Sequence, residues 1–133
     1  MNISKIEGIG PAYAAKLDEQ GIKTTEGLLK AAASRKGRQL LSEQTGLSNH
    51  QILEWVNRAD LMRVKGIGEE YSDLLEAAGV DTVRELANRN PDNLHQTLIK
   101  TNAEKHLVRR EPALNEVKSW VIKSKRLPVV ISY

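Results

Sequence analysis

The sequence predicts an all-α protein made of two tandem helical repeats that are related by a pseudo-two-fold arrangement. A phrase of the form apolar-charged-Gly-Ile-Gly occupies residues 6–10 and returns at residues 64–68. Aromatic residues make up only 4% of the chain and phenylalanine is absent. A core of Leu, Ile, Val and Ala suits packed helices better than sheets, so the composition agrees with the repeat.

The match continues in register beyond the glycines. Tyr13 corresponds to Tyr71, and Gly21 corresponds to Gly79, both at the same offset as the repeated phrase. Equivalent tyrosines favour a shared packing role over base stacking. A duplicated pattern of this length indicates that the chain carries the same local structure twice.

Farther along, the offset changes. Trp55 corresponds to Trp120 at a larger offset than the one that relates the glycines, so seven extra residues enter the second copy, near residues 105–111. Both tryptophans are expected to be core anchors. The predicted organisation is a first repeat at residues 1–59, a second repeat at residues 60–126, and an extended apolar tail at residues 127–133. The tail could pack on the core or add a short strand.

The first repeat contains local signals for each element. Asn2 can cap a one-turn helix with its side-chain oxygen. Gly8 and Gly10 allow a tight turn, and Pro11 fits the first position of the helix that follows. Gly21 is suited to the left-handed residue that ends this helix.

The second repeat contains a similar series of signals. Asp60 is expected to cap a short helix, Glu69 to open the next helix, and Gly79 to end it. Thr82 and Glu85 have the spacing of a capping box, which predicts a further helix start.

Charge is distributed unevenly. The chain has 20 basic and 17 acidic residues, a net formal charge of only +3. Residues 1–99 carry 12 basic and 14 acidic side chains, whereas residues 100–133 carry 8 basic and 3 acidic ones. A basic segment of this kind can steer an acidic partner, and it is equally consistent with solvated helix faces.

Several classes of function have no support in the sequence. The absence of cysteine excludes disulfides and cysteine-ligated metal sites. The three histidines lack metal-ligand spacing, and no nucleophile motif or phosphate-binding Walker loop occurs. We therefore expect no enzyme, no metal and no cofactor. No apolar run is long enough for a membrane span and no signal segment is recognisable, so a cytoplasmic protein without membrane contact is expected.

The Gly-Ile-Gly phrase points to anion binding. We call residues 6–10 hairpin 1 and residues 64–68 hairpin 2. Glycine lets a phosphate approach the peptide N–H groups, and the following helix adds its positive N-terminal end. With the basic C-terminal segment, the predicted nucleic-acid-binding residues are Lys5, Gly8, Ile9, Gly10, Lys16, Lys65, Gly66, Ile67, Gly68, Arg109, Arg110, Lys123, Lys125 and Arg126.

The two hairpins differ in charge. Hairpin 1 has Lys5 before the turn and Lys16 on the following helix. Hairpin 2 is followed directly by Glu69 and Glu70, which stabilise a helix start but occupy the place of an incoming phosphate. We expect hairpin 2 to be the weaker anion site.

Residues 2–21 and 60–79, which contain hairpin 1 and hairpin 2, each resemble the helix-hairpin-helix motif. Nearly all of residues 1–128 resemble an uncharacterised bacterial family of duplicated helix-hairpin-helix proteins, on the run from Arg58 to Asp81 and on the two tryptophan helices. The motif implies binding of a nucleic-acid backbone, DNA in preference to RNA, without sequence readout. The family implies a fold but no activity.

A second hypothesis remains open. In this alternative the chain is a protein-interaction or assembly module, the hairpins are structural only, and residues 127–133 dock a protein partner or a second copy. Its basis is the low net charge, the acidic hairpin 2 and the apolar tail. Phosphate binding weakens steeply as salt rises whereas apolar docking does not, so salt dependence distinguishes the two hypotheses.

Overall fold

The computed structural model describes all 133 residues and confirms the prediction of an all-α protein. It contains one short 3-10 helix at Ile3–Lys5, eight α-helices and no β-strand. The α-helices are α1 (Pro11–Glu19), α2 (Thr25–Ala32), α3 (Arg35–Thr45), α4 (Asn49–Leu61), α5 (Glu69–Ala77), α6 (Val83–Ala87), α7 (Pro91–Lys105) and α8 (Leu114–Arg126). None of the helices has the length and apolar character needed to span a bilayer.

The chain divides into two compact units. Unit 1 comprises Met1–Asp60 together with Val130–Tyr133, and unit 2 comprises Leu61–Val129. In unit 1, α2 packs against α3; in unit 2, α8 packs against both α6 and α7, and α5 packs against α7.

Short polar side chains begin four helices of unit 1, all except α1, because each accepts a hydrogen bond from a first-turn amide that has no partner within the helix. Asn2 caps the 3-10 helix, Thr24 caps α2 and Ser34 caps α3. Ser48 does the same for α4. The predicted left-handed conformation of Gly21 is confirmed, with φ of +78°.

The core of unit 1 is almost entirely aliphatic, as the composition predicts. Trp55 is its one large aromatic residue and is buried with a partly buried Tyr13 beside it. Other buried side chains of this core are Ile3, Ile6, Leu17, Leu28, Leu41, Ile52 and Val56.

Residues 130–133 pack within unit 1 and form no strand. The Ser132 amide donates to the Ala33 carbonyl at 2.9 Å, and Arg38 donates to the Ser132 carbonyl. Arg38 also donates at 2.8 Å to the Ala33 carbonyl at the end of α2. Burial is the main cause that lowers the pKa of the Arg38 guanidinium, while the charge of Tyr133 acts in the opposite direction. Ile131 is buried beside these contacts.

Unit 2 begins differently from the prediction. The expectation that Asp60 caps a new short helix is wrong, because α4 continues through Asp60 to Leu61. No glycine or proline interrupts residues 49–61, so nothing in the chain stops the helix before this point. The core of unit 2 consists of aliphatic residues around Trp120: Leu61, Val64, Ile67, Leu74, Leu75, Val80, Val83, Leu86, Leu94, Leu98, Val108, Val117 and Val121.

Between α7 and α8 lies a segment that we call the 106–113 loop. His106 ends α7 in the left-handed conformation, with φ of 52°. The buried Asn102 side chain then accepts a hydrogen bond from the Val108 amide at 2.9 Å and donates to the Val108 carbonyl at 3.3 Å. These bonds fix the path of the loop within unit 2.

Candidate nucleic-acid interface

The two glycines of hairpin 1 have different roles. Gly8 has φ of +92°, a conformation that other residues adopt only with strain. Gly10 has an ordinary φ of −83°, and a Cβ atom added there would meet nothing within 4 Å. The first glycine makes the turn, while the second leaves open space at the start of α1.

The amides of hairpin 1 are only partly available. The Ile9 amide donates to the Ile6 carbonyl at 3.1 Å and is therefore engaged within the turn. Gly10 is the N-cap of α1 without any capping side chain, and the first turn contains no acidic residue. The first-turn amides after Pro11 have no partner within the helix, so their partial positive charge is presented outward.

Three basic residues accompany hairpin 1. Lys5 is exposed just before the turn. Lys16 is exposed in the last turn of α1, where it meets the negative end of the helix rather than the hairpin. Arg58 of α4 donates to the Glu7 carbonyl at 3.0 Å and places a guanidinium against the turn.

Sequence reasoning did not single out Arg58. A signal existed, because the offset between Arg58 and Lys123 is the same as the offset between the two tryptophans. Lys123 makes the corresponding contact in unit 2, where its Nζ donates to the Lys65 carbonyl at 3.3 Å. In each unit, a cation from the tryptophan helix therefore touches the hairpin.

An aromatic pair lies beneath hairpin 1. The rings of Tyr13 and Trp55 have centroids 5.4 Å apart and planes inclined by 57°. The indole nitrogen of Trp55 approaches the turn so closely that a Cβ atom on Gly8 would lie 3.3 Å from Nε1. A side chain at position 8 would therefore press against the indole.

Hairpin 2 repeats this backbone arrangement within unit 2. Gly66 has φ of +101°, and the Ile67 amide donates to the Val64 carbonyl at 3.0 Å. A Cβ atom on Gly66 would lie 3.1 Å from Nε1 of Trp120. The ring of Trp120 pairs with Tyr71 at 5.1 Å and 53°.

The surroundings of hairpin 2 are acidic. Gly68 is the N-cap of α5 and has no capping side chain, but Glu69 and Glu70 stand in the first turn. Arg109 of the 106–113 loop donates to Glu70 from its backbone amide at 3.1 Å and from Nη2 at 2.9 Å. These hydrogen bonds, that of the side chain first, lower the pKa of the Glu70 carboxyl.

Arg110 is also paired. Its guanidinium binds both carboxylate oxygens of Glu116, at 2.8 and 2.9 Å, and lies 5.9 Å from the ring centre of Tyr71. The Tyr71 hydroxyl donates to the Arg110 carbonyl at 3.0 Å. The Arg110 side-chain bond lowers the pKa of Glu116, and burial raises the pKa of Tyr71. These contacts hold the 106–113 loop beside hairpin 2. The loop, the hairpin and the start of α5 together line a cavity of about 570 Å³.

The basic C-terminal candidates do not form one free cationic patch. Arg109 and Arg110 form ion pairs with carboxylates of unit 2, and Lys123 touches hairpin 2. Lys125 and Arg126 lie exposed in the last turn of α8, where basic side chains also stabilise the helix end. Lys65 is exposed within hairpin 2.

Comparison with known proteins gives a family without an assigned activity. The model of the family described as Domain of unknown function (DUF4332) matches residues 7–127. No solved structure matches the chain at a significant level.

Proposed function

Since the chain belongs to the family Domain of unknown function (DUF4332), whose description gives no activity, we propose a function from the site itself. The protein binds the sugar-phosphate backbone of nucleic acid, DNA in preference to RNA, without reading the base sequence. Hairpin 1 is the principal phosphate site. Both hairpins are helix-hairpin-helix turns, one in each of two tandem copies of the same helical repeat.

The observation that carries this proposal is the start of α1. The helix begins at an open glycine, has no capping side chain and has no acidic residue in its first turn. Backbone N–H groups at such a helix start, together with the helix dipole, favour a bound phosphate. Lys5, just before the turn, and Arg58, which donates to the Glu7 carbonyl, add positive charge. Contacts of this kind hold a protein on the backbone without distinguishing bases.

The repeat proposal is supported by contacts that recur at matching offsets. The contact between Gly8 and Trp55 corresponds to that between Gly66 and Trp120, and each glycine has a positive φ. The tyrosine–tryptophan ring pairs have nearly the same distance and inclination in both units. Within each unit these contacts join residues that are far apart in sequence. They therefore support the repeat with tertiary contacts in addition to the match of local sequence.

The two sites differ in strength because hairpin 2 already faces carboxylates. Glu69 and Glu70 lie in the first turn of α5, and Arg109 forms an ion pair with Glu70. A phosphate arriving at this helix start meets like charge. We therefore assign most of the affinity to hairpin 1.

The test uses two matched variants, Gly10→Asp and Gly68→Asp. Both positions are N-caps with a negative φ and with open space for a side chain, and aspartate is a preferred N-cap residue. In each variant the free energy of unfolding should equal that of the wild type or exceed it by a few tenths of a kcal/mol. Gly10→Asp, however, places a carboxylate where the phosphate is proposed to bind.

The measurement is a fluorescence titration of each protein against labelled duplex and single-stranded DNA at low and moderate salt. Repulsion of about 1–4 kcal/mol between a carboxylate and a phosphate predicts that Gly10→Asp loses at least about fivefold in affinity. Gly68→Asp should stay within about twofold, since α5 already has acids in its first turn. Equal loss in both variants, or no salt-sensitive binding by the wild type, would refute the assignment to hairpin 1.

A protein-interaction or assembly module remains the second candidate, and the ion pairs of Arg109 and Arg110 favour it because they reduce the free positive charge of unit 2. In this case binding of a partner or a second copy should be insensitive to salt. Removal of residues 127–133 should change the oligomeric state measured by light scattering, in a variant whose circular dichroism shows that unit 1 still folds without residues 130–133. An unchanged oligomeric state and salt-sensitive DNA binding would argue against this candidate.

A further inference from the structure

We propose that the indole N–H of Trp55 is a positioning donor for the phosphate bound at hairpin 1. This inference rests on the proposed function and adds a side-chain contact to it. The bound oxygen occupies the space above Gly8 that a side chain would fill in any other residue. A phosphate is then held by the first-turn amides of α1 and by the indole together.

The first observation is that the indole N–H has no partner in the chain. Trp55 is 2% exposed, yet its Nε1 makes no hydrogen bond to another group of the protein. Nε1 is also not sealed from solvent. The N–H group of a buried tryptophan usually donates to an acceptor within the protein. An indole N–H that has no such acceptor and still reaches solvent therefore indicates that a bound ligand supplies the acceptor.

The second observation is the open position over Gly8. An atom placed where the Cβ of Gly8 would be lies 3.3 Å from Nε1, and no other atom outside residues 7–9 lies within 4 Å of it. An oxygen atom at or slightly below this distance accepts an N–H hydrogen bond. The absence of a side chain at position 8 therefore leaves room for an oxygen beside an unused donor.

The chemistry of the surroundings favours a phosphate oxygen. Gly8 and Gly10 are two residues apart, so their Cα atoms are at most about 7 Å apart. A phosphodiester has two free oxygens and can accept from the indole with one and from the start of α1 with the other. Lys5 precedes the turn and Arg58 contacts it, so two cations accompany the single carboxylate of hairpin 1, that of Glu7.

Unit 2 supplies an internal control. Trp120 is buried in the same way, and an atom at the Cβ position of Gly66 would lie 3.1 Å from its Nε1. There Glu69 and Glu70 follow the turn, so the indole of Trp120 should not bind a phosphate comparably. The chain has two tryptophans, one in each unit, and each gives a separate indole N–H resonance.

The test is a two-dimensional NMR titration of the ¹⁵N-labelled full chain. The probes are inorganic phosphate and a short duplex DNA, and the two indole signals are assigned with Trp55→Phe and Trp120→Phe. Duplex DNA should shift the Trp55 indole proton downfield and slow its exchange with water, while the Trp120 signal moves far less. Trp55→Phe retains an aromatic ring against Tyr13 and should lose about tenfold in DNA affinity, whereas Trp120→Phe should stay within about twofold.

The outcomes separate this inference from the function on which it rests. DNA binding with an unmoved Trp55 signal and full affinity of Trp55→Phe would overturn the indole contact and leave the proposed function standing. A Trp55 shift with inorganic phosphate but none with DNA would keep the anion site and refute the nucleic-acid function. If Trp55→Phe does not fold, which circular dichroism detects, the wild-type titration decides alone.

Discussion

Alanine substitution of the two glycines of hairpin 1 should change the stability of unit 1 by very different amounts. Gly8 has a left-handed φ of +92°, which costs an alanine about 1–2 kcal/mol. The new Cβ would also lie 3.3 Å from Nε1 of the buried Trp55, so the indole must shift by a few tenths of an ångström. We expect Gly8→Ala to lower the free energy of unfolding by about 1–3 kcal/mol.

Gly10→Ala should be nearly neutral. Its φ of −83° is ordinary, and its Cβ would meet nothing within 4 Å. Alanine restricts the unfolded chain, which stabilises by about 0.4–1 kcal/mol, but it is a poorer N-cap than glycine. These effects oppose each other, and the net change should remain within about 0.5 kcal/mol.

Urea denaturation followed by tryptophan fluorescence and by circular dichroism measures both variants. For a domain of about 60–100 residues, such as unit 1, a difference of about 1 kcal/mol also shifts the melting temperature by about 4–8 °C. Gly66→Ala and Gly68→Ala repeat the comparison in unit 2, where the corresponding φ values are +101° and −109°. If Gly8→Ala were as stable as Gly10→Ala, the turn geometry and the indole contact at hairpin 1 would be incorrect.

Three further predictions concern charge. Glu69→Gln combined with Glu70→Gln should raise affinity for duplex DNA at low salt by at least about threefold, with the gain shrinking as salt rises, and unchanged affinity would show that these acids do not weaken hairpin 2. Arg38→Leu should lower the free energy of unfolding by about 1.5–3 kcal/mol in urea denaturation, with partial recovery in Arg38→Lys, since its bonds to the end of α2 and to Ser132 are lost. The pKa values of Glu70 and Glu116 are lowered by their bonds to Arg109 and Arg110, so these ion pairs stabilise the folded state fully above about pH 4.3. The stabilisation is lost as the pH falls through the folded-state pKa values of the two carboxyls. Carboxyl NMR titrations with midpoints at or above the ordinary glutamate pKa would contradict this prediction.

Much of the fold could be predicted because its signals are local. The caps at Asn2 and Thr82 and the left-handed ends at Gly21 and Gly79 depend on residues only a few positions away. The prediction that Asp60 caps a helix failed because aspartate occurs inside helices as well as at their N-caps. Only the uninterrupted course of α4 shows that Asp60 lies inside a helix.

The site could be predicted less completely because its electrostatics depend on distant pairs. Arg109 meets Glu70 across 39 residues of sequence, and no local pattern marks that pairing. The contact between Trp55 and Gly8 likewise joins separate parts of unit 1. Lys16 is a different case, since its position at the far end of α1 follows from counting helical turns after Pro11.

The division of the chain has a consequence for biosynthesis. Residues 61–129 form unit 2, whereas unit 1 needs residues 130–133 in addition to residues 1–60. During translation, all the residues of unit 2 are therefore made before the last part of unit 1 exists. A fragment ending at residue 60 would lack Ser132 and leave Arg38 without one of its acceptors. Of the two units, unit 1 is thus the one that ribosomal synthesis completes last, although its first residue is made first.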